Sequence, residues 1–157
     1  MFGSTGKKIQ QALDVAYGLL TQQIDLGDAE ESNTHPRLST PYALGYVFGF
    51  ADTLIKRAGV TDDGQVMAQL VLVYARLFGV DQGAVIFGSC LQRQNDSEFA
   101  AGRATGGTDV IAWLSSRGGQ VPSALAEYLQ AEGGLTAAGT APPPRGVSAD
   151  ARRPPGR

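Results

Sequence analysis

Apolar residues recur at three- and four-residue spacing along most of this chain, the period of helices with one buried face. Ile9, Leu13, Ala16, Leu20 and Ile24 form the first such stripe, with Lys7, Lys8, Gln10, Gln11, Gln22 and Gln23 filling the remaining positions. Ser4 or Thr5 can cap this helix and Gly27 ends it. The segment Asp28 to Ser39 has no period and holds Glu30, Glu31, Asn33, His35 and Pro36, so it is predicted to be an exposed loop.

Thr40 followed by Pro41 is a strong start signal: a hydroxyl cap with proline at the first helical position. The helix that follows runs to about Ala58, with Gly59 as its stop. It is apolar nearly all round (Tyr42, Leu44, Tyr46, Val47, Phe48, Phe50, Leu54, Ile55), which predicts a central position or cover by a second subunit. Thr61, Asp62 and Asp63 cap a third helix through Val66, Met67, Leu70, Val73, Tyr74 and Phe78, ending at Gly79. Asp81 is the expected cap of a short fourth helix through Val85, Phe87 and Leu91. Asn95-Asp96-Ser97 is then a break or a cap, and Glu98 begins a fifth helix to about Ser116. Gly118-Gly119 ends that helix, and Pro122 opens a sixth with Leu125, Tyr128 and Leu129. The expected fold is all-α, a compact bundle of five to six helices over residues 1–134, in which 40–78 and 97–132 form two pseudo-symmetric αα-hairpins beside an N-terminal helix. From Leu135 proline and arginine replace the periodic pattern, and 135–157 is predicted to be a disordered tail.

The symmetry expectation comes from an internal match. Thr40, Tyr42, Gly45, Gly49 and Asp52 align with Ser97, Phe99, Gly102, Gly106 and Asp109: hydroxyl cap, aromatic, then G-x-x-x-G-x-x-D. In each copy the aromatic, the two glycines and the aspartate are spaced three, four and three, so they lie on one helix face. A glycine inside a helix costs about 1 kcal/mol relative to alanine. A gain must offset that cost, and close approach of a second backbone is one candidate. Two readings follow: a packing seam, or a glycine-floored groove in which Asp52 or Asp109 fixes a partner helix or ligand.

Composition changes this picture little. Hydrophobic residues make up 43% of the 157 positions and charged residues 18%, enough to bury a core. Net charge is −2, and Arg93, Arg103 and Arg117 are too sparse for a nucleic-acid patch, so no nucleic acid is expected. The tail sets Arg145, Arg152, Arg153 and Arg157 against Asp150 and carries the basic excess. No apolar run reaches the roughly 20 residues of a membrane span, no apolar leader is visible, and the single cysteine, Cys90, suits a reducing compartment. The expected location is the cytoplasm.

Catalytic signatures are sparse. His35, the only histidine, sits in the polar loop, and Cys90 sits in an apolar stretch where a buried thiol is expected. Glu30-Glu31 and Asp62-Asp63 are adjacent pairs rather than opposed carboxylates, and Gly102 to Gly107 lacks the Lys-Ser/Thr of a phosphate loop. No catalytic residue, metal ligand set or cofactor is expected. One enzymatic alternative remains: Asp52 and Asp109 facing each other across the pseudo-two-fold, one of them held protonated. Another alternative is a small apolar ligand lined by Phe48, Phe50, Met67, Tyr74, Phe87 and Trp113.

Gly45-Tyr46-Val47-Phe48-Gly49-Phe50-Ala51-Asp52 resembles the glycine–tyrosine–x–x–glycine–x–x–aspartate helix of the small helical immunity proteins that neutralise type VI secreted amidases. The likeness covers this segment alone. Those proteins are typically exported and use cysteines, whereas this chain shows neither a leader nor paired cysteines. The resemblance implies an inhibitor-type binder. The expected function is thus that of a small non-enzymatic interaction protein (an adaptor, inhibitor or immunity-like binder) with an unknown protein partner and a tendency to form a homodimer.

Overall fold

The computed structural model describes residues 3–27 and 36–131. Its α-helices run in the order α1 (Gly3–Gly27), α2 (Pro41–Arg57), α3 (Asp63–Phe78), α4 (Val80–Gln92), α5 (Ser97–Ser115) and α6 (Ala124–Gln130), with a 3-10 turn at Pro36–Ser39. No strand occurs among the described residues, so the chain is an all-α bundle. The loop predictions on Asp28 to His35 and the predicted tail at 135–157 lie outside the described residues.

Capping chemistry sets most boundaries. Thr40 has extended backbone and its hydroxyl accepts from Ala43 N at 3.4 Å, with Pro41 next. Asp62 accepts from Gln65 N at 2.8 Å to start α3. Three starts differ from expectation. Asp96, not Ser97, caps α5, accepting from Glu98 N at 2.9 Å and Phe99 N at 3.3 Å, because a carboxylate one residue earlier reaches both free amides. At α4 Asp81 makes no cap. Gly79, at φ 88°, turns the chain directly from α3 into α4, which leaves Asp81 inside the first turn. Finally α6 begins at Ala124 rather than at Pro122, and groups on other helices hold its first amides.

The central position expected for α2 is observed: every residue from Ala43 to Asp52, and Leu54 and Ile55, is buried. α1, α3 and α5 surround it, α4 folds back on α3, and α6 packs on α1. Phe48 stacks on Phe87 at 6.2 Å and meets Phe99 edge-on at 5.8 Å, while Tyr74 meets Phe87 at 5.5 Å. These rings fill one another's space as core. Met67, expected inside, is 37% exposed. Tyr74 donates to Leu44 O at 2.8 Å, and Cys90 Sγ lies 3.5 Å from the Tyr74 hydroxyl. Burial raises both the phenol and the thiol above their ordinary ranges.

Candidate functional site

The two glycine stripes meet each other. A Cβ on Gly45 would lie 2.1 Å from Phe99 O, and one on Gly102 would lie 2.0 Å from Tyr42 O. The second pair repeats the relation: a Cβ on Gly49 would lie 1.9 Å from Arg103 O, and one on Gly106 would lie 2.2 Å from Tyr46 O. Residue numbers rise together along both helices, so α2 and α5 pack parallel. Each contact has its reciprocal at the aligned position of the other copy, which is the signature of a two-fold relation. The helices that follow differ: α3 has 16 residues and α6 has 7.

Energy accounts for the glycines. Each stripe glycine presents a Cα–H to a carbonyl oxygen on the facing helix, an interaction of about 0.5–1 kcal/mol. That nearly offsets the propensity cost of roughly 1 kcal/mol per glycine. The surplus comes from the aromatic side chains that the close approach buries, among them Tyr46, Phe48, Phe50 and Phe99.

Beyond the crossing the two aspartates have different surroundings. Asp109 accepts from the Tyr46 hydroxyl at 2.7 Å and from Ala124 N, at the start of α6, at 3.3 Å. Gln23 Oε1 accepts from Leu125 N at 3.1 Å and also lies 3.1 Å from the Tyr46 hydroxyl. A phenol has one proton; the shorter contact to a carboxylate takes it. Burial, then the hydrogen bond to Asp109, raises the Tyr46 phenol far above its ordinary range. The Gln23 side chain is buried, and its Nε2 has no partner among the described residues.

Asp52 occupies the aligned position on α2. It is 9% exposed and pairs with Lys56 at 2.9 Å, one turn on, whose ammonium end reaches solvent. Arg103 aligns with Tyr46 but turns aside: its guanidinium donates to Gln94 Oε1 at 2.8 Å and lies 5.0 Å from the Phe48 ring centre. Among the described residues no segment lies where α6 lies on the other side. Instead a groove of about 420 Å³ opens there, with Gly49 and Gly107 on its floor and Asp52, Arg103, Ala104 and Ile111 among its walls.

Tyr42, Gly45, Gly49, Phe99, Gly102 and Gly106 therefore meet in the seam, Asp109 anchors α6, and of the eight stripe residues only Gly49 and Asp52 line the groove. No hydrogen bond joins Asp52 to Asp109. Sequence reasoning placed Gln23 on the polar face of α1. Its spacing from Ala16 and Leu20 puts it on the buried stripe, a signal that its polarity masked. Arg103 lines the groove as well, and its alignment with Tyr46 is the signal in the sequence that points to it. Among the described residues no acid, histidine and cysteine group could hold a metal ion, and no helix is long and apolar enough to cross a membrane. No protein family, curated protein or solved structure matches this chain.

Proposed function

We propose that this is a non-enzymatic protein that acts by binding another protein, as an adaptor or inhibitor, through the groove beside Asp52. One observation carries the reading. The seam is two-fold, but its two flanks are not alike: the chain's own α6, with Gln23 of α1, fills the Asp109 flank, and among the described residues the aligned Asp52 flank is open. A helical segment from a partner fits there as α6 fits its counterpart, over Gly107 and between Asp52, Arg103 and Ala104. The titratable groups near the seam already have internal roles. Asp52 holds Lys56, Asp109 holds α6, and Cys90 is buried beside Tyr74. The buried single thiol suits work in the cytoplasm. The resemblance of residues 45–52 to an immunity-protein helix favours an inhibitor.

Ala104 is exposed on the groove wall, so Ala104→Trp is expected to leave the melting temperature nearly unchanged while filling the groove. Affinity capture from the native host is expected to recover a partner with the unmodified protein and lose it with this variant. Equal recovery with both proteins removes the groove from the interface. Light scattering on the purified protein identifies a second copy as occupant if Ala104→Trp converts a dimer to a monomer.

A further inference from the structure

A second concavity lies where the N-terminal half of α1 crosses the C-terminal ends of α2 and α5. Its volume is about 360 Å³ and it is an open cleft. Val15, Leu54, Trp113 and Leu114 give it an apolar lining, and Lys8 and Arg57 stand among the residues around it, with no carboxylate. Both cations are exposed, and neither forms an ion pair with a described residue.

Helix stabilisation accounts for Arg57 but not for Lys8. Cations belong at helix C-termini and acids at N-termini. Lys56 and Arg57 both lie in the last turn of α2, but Lys56 is engaged by Asp52 while Arg57 is not. Lys8 lies near the N-terminal end of α1, the end a helix dipole disfavours for a cation, and the first turn of α1 has no acid. The chain is net negative, so these charges are a local feature set against the overall field.

We propose that this cleft binds an acidic amphipathic helix of a partner protein, whose apolar face covers Val15, Leu54, Trp113 and Leu114 and whose carboxylates pair with Lys8 and Arg57. The proposal rests on the reading of this protein as a protein binder and adds a surface separate from the Asp52 groove. Charge complementarity selects the occupant. The chain's own segment after Leu135 carries four arginines against one aspartate, the wrong sign for this rim. An open cleft buries one face of a helix, whereas small ligands need sites that enclose most of their surface.

Trp113 is the only tryptophan in the chain, so its fluorescence reports on the cleft directly. The probes are a synthetic amphipathic peptide with leucine on one face bordered by glutamate, the same peptide with lysine for glutamate, and laurate. The glutamate peptide is expected to shift Trp113 emission saturably, and to bind at least about tenfold more weakly to the Lys8→Glu/Arg57→Glu variant. Lys8→Gln/Arg57→Gln, expected to show an intermediate loss, serves as the second variant; circular dichroism checks that both melt like the parent. No shift with the glutamate peptide, an equal response to the lysine peptide, unchanged affinity in both variants, or binding of laurate alone overturns the proposal. If the cleft fails while partner capture stays sensitive to Ala104→Trp, the protein-binding reading stands without it.

Discussion

Glycine has two opposite meanings in this chain, and neighbouring atoms decide which applies. Gly49 and Gly106 lie inside helices with a carbonyl oxygen of the facing helix where a Cβ would go, whereas Gly18 and Gly88 lie inside helices with nothing within 4 Å. The first pair is needed for close approach; the second pays the helical cost of glycine and gains nothing visible. Gly18→Ala and Gly88→Ala are therefore each expected to raise stability by about 0.5–1 kcal/mol in urea titrations. Gly49→Ala and Gly106→Ala are expected to lower it by more than that, since backbone rather than a flexible side chain must move. Gly49→Leu is expected not to fold. Destabilisation of Gly18→Ala to the same degree as Gly49→Ala would remove the distinction.

Among the elements, α6 has the most to gain from contacts outside itself. At seven residues it is too short to be stable alone. Leu125 and Leu129 bury its apolar face, and Leu129 fills the space that a Cβ on Gly27 would need. Asp109 and Gln23 supply acceptors for its first free amides. Asp109→Ala removes the acceptor of both Ala124 N–H and the Tyr46 hydroxyl, and is expected to cost about 1–3 kcal/mol. Hydrogen exchange is expected to show faster exchange at Ala124 and Leu125 with α2 and α5 protected as before. Loss of protection along α2 instead would mean that α6 and the seam open as one unit.

For the molecule as a whole, the buried phenols set a limit on the alkaline side. Tyr46 and Tyr74 titrate near pH 10 in an unfolded chain, and burial raises both in the fold. Below about pH 10 both states hold these protons and the phenols add no pH dependence. Above it the unfolded chain ionises first, binds fewer protons than the fold, and stability falls as pH rises. Urea midpoints between about pH 8 and 11 are expected to decline for the parent and to decline less steeply for Tyr46→Phe, after allowing for that variant's lower starting value. Parallel curves would show that Tyr46 ionises as readily in the fold as out of it.

The sequence by itself determined the helices, because period and capping are local: Thr40-Pro41, Asp62, Gly59 and Gly79 act on the residues beside them. It also narrowed α2 to a central position or cover by a second subunit, since a helix apolar nearly all round has little face to give to water, and the tertiary structure put it at the centre. Where local signals competed, the starts at Asp96, Gly79 and Ala124 were decided by which group reached a free amide. The repeated stripe was legible as a pattern, and its partner was not. Only the tertiary structure decided that the two copies face each other in parallel, because a missing side chain says that something approaches without saying what. The same holds for the aspartates. Asp52 and Asp109 are alike in sequence, and one anchors a helix while the other lines an open groove because α6 has one place to go and the seam has two flanks.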